Sequence, residues 1–295
     1  MSNNNQSVLI IGGTGFIGRN LRQYFEENTS YSVLAPTRQE LNLLDDQACK
    51  SYLISKKPDF VIHSAVDITS VENSLKMFFN IFNEHDSYGQ LIQLGSGAEY
   101  DRRAYQPKMD ESRFGISIPI DTYGLAKYLI ARELKSSANQ NSINLRLFGI
   151  FGKHENYARR FIANNICRVL AGSPVSLNRD MLFDYIHVDD LGKFLVDLLP
   201  KLPLQSNDYN FCTGKPISLR EIGLVVQQVM DQKQSILIKQ DGFNPEYSGS
   251  PEKLFSEIGE FSFSPIQNKI IELANFYQQN MSQADLEKFR KSLNG

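Results

Sequence analysis

Ser7-Val8-Leu9-Ile10-Ile11-Gly12-Gly13-Thr14-Gly15-Phe16-Ile17-Gly18 can be built in only a few ways, and it stands near the head of the chain. Four apolar residues, opened by a polar one and closed by glycine, predict a short buried parallel strand. Gly12, Gly15 and Gly18 follow at three-residue steps, and a helix-compatible apolar run continues through Leu21, Tyr24 and Phe25. The first glycine permits a tight turn and the second lets backbone approach a pyrophosphate. The third seats the new helix close on the strand, with its N-terminal N–H groups toward the phosphates. Such triplets also occur in plain turns, but a position between strand and helix is the context that dinucleotide binding requires.

With 295 residues the chain can bury a large core, as one α/β unit or as two packed lobes. A formal net charge of −2 leaves no footprint for nucleic acid. The start Met1-Ser2-Asn3-Asn4-Asn5-Gln6 lacks a charged-then-apolar signal pattern, and no apolar run approaches membrane-spanning length, so a cytoplasmic location is expected. Cys49, Cys167 and Cys212 lie far apart and read as reduced thiols. Four scattered histidines give no expectation of a metal site.

Strand and helix signals alternate through the first half: strands near Tyr31–Ala35, Asp59–His63, Leu91–Leu94 and Ile143–Leu147, and helices near Asp46–Ser55, Val71–Phe82 and Thr122–Ser137. This pattern predicts an α/β fold, a doubly wound parallel Rossmann sheet with right-handed crossovers. Ligands on such sheets lie beyond the carboxyl ends of the strands, which gathers the loops after Ile11, His63, Leu94 and Leu147 around one cleft. The second half is less regular. Helices are expected at Arg160–Leu170, Leu191–Leu199, Ser218–Met230, Lys269–Gln278 and Gln283–Ser292, and a short strand at Ile236–Ile238. The expected organisation is a dinucleotide-binding domain over 1–150, with later crossing segments near 181–213. A smaller substrate-binding lobe would take 151–180 and 214–295.

Tyr123-Gly124-Leu125-Ala126-Lys127 sets a phenol and an ammonium four positions apart on a predicted helix, hence on one face. A nearby cation favours phenolate, which eases proton exchange at Tyr123. Gly95-Ser96-Gly97 follows a predicted strand and presents a small hydroxyl at the sheet edge where the glycine turn also lies. Glycine loop, strand-end serine and Tyr/Lys helix, in that order, form a compound signal.

In these motifs the chain resembles the extended short-chain dehydrogenase/reductases that act on nucleotide sugars, from Val8 to about Asn280. It is most similar to the branch containing GDP-L-fucose synthase, through the segments Thr37–Asp45, Gly152–Tyr157 and Asp184–Asp190. The resemblance implies a catalytic set of Ser96, Tyr123 and Lys127. Tyr123 would give a proton to a carbonyl oxygen as hydride arrives from a nicotinamide. Ser96 would hydrogen-bond that oxygen, and Lys127 would hold the nicotinamide ribose and lower the phenol pKa. The resemblance also implies cofactor contacts at Thr14, Phe16, Ile17, Ser64 and Ala65 and substrate contacts at Asn156. Relatives pair through the helices of Val71 and Tyr123, so a homodimer is expected.

Cofactor choice has a physical basis. After Tyr31–Ala35 come Pro36-Thr37-Arg38, with no acid before Glu40, and an arginine here suits a 2′-phosphate. Arg38 is the candidate clamp and Arg19 a second, each with the alternative of an ordinary surface arginine. NADP(H) is therefore expected over NAD(H). By resemblance Asp45 lies near the adenine, or else it caps the following helix.

Dehydratases of this family carry an Asp-Glu pair after the strand-end hydroxyl residue, where this chain has Gly97 and Ala98. Epimerising relatives use a cysteine at the position of Ala98 together with a histidine that matches His154. The expected reaction is reduction of the keto group of a nucleotide-activated 4-keto-6-deoxy sugar; the alternative is an epimerase working through a keto intermediate. His154 is left as an acid/base group, a substrate contact or a structural residue. Gly149 stands where relatives often have asparagine, and Phe183 where many have a phosphate-binding arginine, for which Arg160, Arg168 or Arg179 could substitute. His187, Asp189 and Asp190 read as capping and lobe-docking residues.

Overall fold

A computed structural model describes residues 6–137 and 141–294. The polar opening at 1–5, read above for its lack of a signal pattern, lies outside the described residues. The first half alternates as the sequence predicts: β1 (Ser7–Ile11), α1 (Phe16–Asn28), β2 (Ser32–Leu34), α2 (Asp46–Lys56), β3 (Phe60–His63), α3 (Val71–Phe82), β4 (Gln90–Ser96), α4 (Thr122–Ser136) and β5 (Ser142–Leu147). Polar residues stop and start the helices. Asp45 accepts the Ala48 N–H at 3.0 Å, Ser70 the Asn73 N–H at 3.1 Å and Asp121 the Gly124 N–H at 2.9 Å.

The second half contributes β6 (Gly149–Phe151), α5 (Phe161–Leu170), β7 (Ser176–Leu177), β8 (Leu182–Phe183), β9 (Tyr185–His187), α6 (Val188–Leu198), β10 (Asp208–Phe211), β11 (Ile217–Ser218), α7 (Leu219–Val229), β12 (Leu237–Ile238), α8 (Glu252–Ile258), α9 (Ile266–Asn280) and α10 (Gln283–Asn294). The central sheet has the order β10-β5-β4-β3-β1-β2, with every pairing parallel. Strand order reverses between β1 and β3, so the loops leaving their carboxyl ends part there and open a crevice. One apolar cluster packs the sheet against α1 and α6, a second packs it against α2, α3 and α4, and a third is built from α5, α7, α9 and α10.

The short strands β6, β7, β8, β9 and β11, and also β10 and α8, are absent from the sequence reading. β10 alternates Asp208 and Asn210 with Tyr209 and Phe211, yet all four are buried. Its polar side chains answer a charge inside the protein, so hydropathy alone mistakes them for surface residues. α8 has only seven residues, too few to establish a helical period. His187 caps α6 through the Asp189 N–H at 3.2 Å, and Asp190 accepts from Ser264 Oγ at 2.7 Å, which gives both the expected capping and docking positions. Cys49, Cys167 and Cys212 are free and buried. Burial pushes the Cys49 thiol up to about 11, Cys167 to about 12, and Cys212 well above its ordinary value.

The charge that β10 answers is Arg146 on β5, which has no exposed surface. Its Nε lies 2.6 Å from Glu99 Oε2 and its Nη2 lies 2.6 Å from Asp208 Oδ1. Nη1 reaches Asn210 Oδ1 at 3.1 Å and the Tyr100 hydroxyl at 3.2 Å. The second Glu99 oxygen accepts the Ser96 backbone N–H at 2.8 Å, so the cluster ties β5 and β10 to the loop at the end of β4. Truncating one member leaves the others as buried charges without a partner. Arg146→Met is expected to lower the unfolding free energy by about 3–5 kcal/mol, read from urea denaturation.

Candidate active site

The crevice at the strand reversal is a cleft of about 620 Å³. Its floor is the glycine turn. Gly12 adopts φ +83°, and a Cβ there would come within 2.9 Å of the Ala65 N; a Cβ on Gly18 would come within 2.2 Å of the Gly12 carbonyl. Gly15 is the N-cap of α1 and brings no side chain to the cap, and Gly15, Phe16, Ile17 and Gly18 line the cleft. Thr14, Phe16, Ile17, Arg38, Ser64 and Ala65 also line it. Glu40 is turned back onto the Thr37 N–H at 2.7 Å, and Asp45 is spent on capping α2, which leaves Arg38 without a competing carboxylate at that end. Arg19 does not line the cleft. A close-approach turn, a helix N-terminus with no side-chain cap and an arginine with no carboxylate partner among the described residues fit a dinucleotide.

A second cleft of about 550 Å³ holds Ser96 and shares Ile17, Tyr123 and Arg160 with the first. The Tyr123 phenol therefore stands where the two meet. Burial raises its pKa, while a hydrogen-bonding interaction with the Ser96 side chain and the charge of Arg160 pull it down. Lys127, one turn further along α4, is only 4% exposed and donates from Nζ to the Leu94 carbonyl at 2.6 Å, on the strand that ends in Ser96. Burial lowers its pKa to about 8, and Glu99 opposes that shift. Arg160, rather than Lys127, is the cation that acts most on the phenol.

The other sequence candidates are scattered. His154 adopts φ +68° and lines neither cleft; its ring stands edge-on to Phe276 at 5.1 Å. Burial and the charges of Arg19 and Lys153 lower its pKa. Asn156 is exposed and accepts the Ala158 N–H at 3.1 Å. Arg179 lines neither cleft, and Arg168 donates to the Pro174 carbonyl at 2.9 Å. Of the three arginines weighed for a phosphate, only Arg160 stands at the site.

Sequence reasoning missed Arg102, Tyr105, Glu155, Arg159, Tyr185 and Tyr247, all on the second cleft. Most lie in loops without periodicity. Gly149 and Phe183 are sterically linked, because a Cβ at 149 would come within 2.3 Å of the Phe183 ring. Glu155 is 4% exposed, and burial raises its carboxyl pKa to about 8 against the opposing charge of Arg160.

Against known proteins, the model of the NAD dependent epimerase/dehydratase family matches residues 8–212. GDP-6-deoxy-D-talose 4-dehydrogenase of Aggregatibacter actinomycetemcomitans is 24% identical over 295 residues, covering 90% of this chain and 99% of that protein. GDP-L-fucose synthase of Escherichia coli K12 is 25% identical, covering 84% and 88%. Among solved structures, an NADP-bound GDP-mannoheptose C4 reductase from Campylobacter jejuni superposes with a TM-score of 0.79 at 20% identity, covering 94% of this chain and 100% of that one. A GDP-L-fucose synthetase from Naegleria fowleri gives 0.81 at 17% identity, covering 95% of each.

The Glu155 carboxyl yields a pH test. Its folded pKa is raised to about 8, so the native state holds a proton that the unfolded chain releases near pH ~4.3. That contribution is fully present below the unfolded value and is lost as pH rises through the folded one. Glu155→Gln is expected to flatten the fall in stability between pH 5 and 8 and to raise Tm at pH 8, measured by thermal denaturation across that range.

Proposed function

The chain belongs to the NAD dependent epimerase/dehydratase family, and on that premise we propose that it is an NADPH-dependent reductase of the keto group in a nucleotide-activated 4-keto-6-deoxy sugar. The observation that carries this reading is the meeting of the two clefts at Tyr123, with Ser96 on the wall of the second. Relatives whose names specify GDP-sugar dehydrogenases, synthases and reductases support it.

The reduced nicotinamide supplies hydride to the carbonyl carbon. Gly12, Gly15 and Gly18 with the start of α1 would receive the pyrophosphate, Arg38 would pair with a 2′-phosphate, and Lys127, which lines neither cleft and donates to the Leu94 carbonyl, would have to turn from it to hold the ribose. Ser96 donates a hydrogen bond to the carbonyl oxygen, and Tyr123 Oη passes its proton to the same oxygen. The resulting phenolate is favoured by Arg160 and by Ser96. Arg160 also meets the sugar-nucleotide phosphates from the second cleft.

Epimerisation through a keto intermediate is the less favoured reading. Ala98 has no acid/base group, His154 is turned to Phe276, and Glu155 holds its proton at neutral pH. A cytoplasmic location suits the cofactor. A homodimer through α3 and α4 is consistent with half-buried Leu75, Phe79, Leu125 and Leu129 on helices that pack together.

Incubation with NADPH and a panel of nucleotide-linked 4-keto-6-deoxy sugars is expected to give a two-hydrogen mass gain with stoichiometric NADPH loss. Tyr123→Phe should cut kcat by about 10²–10⁴-fold while NADPH still binds. Catalytic recycling of the dinucleotide without net loss would favour the epimerase. Arg38→Ala should lower kcat/KM for NADPH by about 10–100-fold and leave that for NADH nearly unchanged, since a charge-assisted contact is lost with only one of them.

A further inference from the structure

The carbonyl that holds the Lys127 ammonium is one that the sheet leaves over. Leu91 on β4 gives its N–H to the Asn141 carbonyl at 2.8 Å, on the β5 side, and Gln90 gives its own to the Asp59 carbonyl at 2.9 Å, on the β3 side. Strand alternation turns the Leu94 peptide group to the same side as that of Gln90. β3 ends at His63, which pairs with Gln93. The Leu94 carbonyl therefore lies past the last rung, on the side of the loop whose Ser64 and Ala65 line the dinucleotide cleft. Two side chains answer it in place of a strand: Lys127 Nζ donates at 2.6 Å and Gln93 Nε2 at 3.0 Å.

A carbonyl oxygen has two lone pairs, so both are taken, and either donor can leave without orphaning the oxygen. Gln93 has no exposed surface, and its Oε1 has no hydrogen-bond partner. Reversing the amide would set oxygen against oxygen, so its orientation is fixed by the Leu94 contact. While Lys127 is in place this second donor is redundant, and the unanswered Oε1 is a standing cost to the fold. The amide becomes necessary only once the ammonium has gone. We propose that the Lys127–Leu94 contact is a latch of the cofactor-free protein, opened by the dinucleotide, and that Gln93 is the positioning residue that lets it open. The ammonium turns from Leu94 to the ribose hydroxyls, and Gln93 keeps the buried carbonyl bonded behind it. Burial lowers the Lys127 pKa to about 8, which is consistent with an ammonium that gains by moving toward an anionic cofactor.

The inference rests on the cofactor half of the reductase reading, and binding alone tests it. Gln93→Leu removes the amide and keeps the bulk. It is expected to weaken NADPH binding about tenfold in isothermal titration, because release of Lys127 would then orphan the Leu94 carbonyl. In a Lys127→Met background, where no latch remains, the same substitution should change nothing. An unaltered Kd, or an equal loss in both backgrounds, would overturn the proposal. A second measurement leaves Gln93 intact. In protein labelled at the lysine 13Cε, with the signal assigned through Lys127→Met, the Lys127 resonance should shift on adding NADPH and its titration midpoint should rise. NADPH binding with that midpoint unmoved sinks the latch and leaves the cofactor reading standing. A protein whose latch opens but which reduces no sugar in the panel loses the reductase reading alone, and failure to bind any dinucleotide removes both.

Discussion

The Glu99 carboxylate, shared between the Arg146 guanidinium and the Ser96 backbone, is the contact on which the rest of the site depends. A guanidinium with no exposed surface is tolerated only because each face of it is answered, by Glu99, Asp208, Asn210 and the Tyr100 hydroxyl. Those partners come from β10 and from the turn after β4. The charge therefore fixes the register of the sheet edge and the position of Ser96 together. The charge of Glu99 also favours the ammonium form of Lys127. One buried anion thus bears on both Ser96 and Lys127.

Much of the sheet was legible in the chain because its strands are apolar and its helices are capped by residues that announce themselves. α3 runs over Val71–Phe82, the span predicted, since Ser70 and an apolar stripe define it together. β10 was illegible for the opposite reason: Asp208 and Asn210 are polar because Arg146 is buried beside them, and a charge pair across sixty residues leaves no local pattern.

The site divides in the same way. Ser96, Tyr123 and the glycine turn could be read because their chemistry is concentrated in short motifs attached to regular elements. Tyr247 and Arg102 could not, since they arrive from loops whose path is set by packing. His154 carried a familiar neighbourhood in sequence, yet the left-handed backbone at that position directs its ring toward Phe276. Gly149 leaves room for the Phe183 ring, a steric link between distant positions that no local pattern carries.

The placement of sulfur has a chemical outcome of its own. The thiolate is the form that reacts with peroxide or an alkylating agent, and all three cysteines are interior with their protons strongly retained. The cleft position that would be a cysteine by resemblance is Ala98. Iodoacetamide should accordingly find no purchase on the native thiols, and a cysteine engineered onto the surface would be a selective handle for labelling.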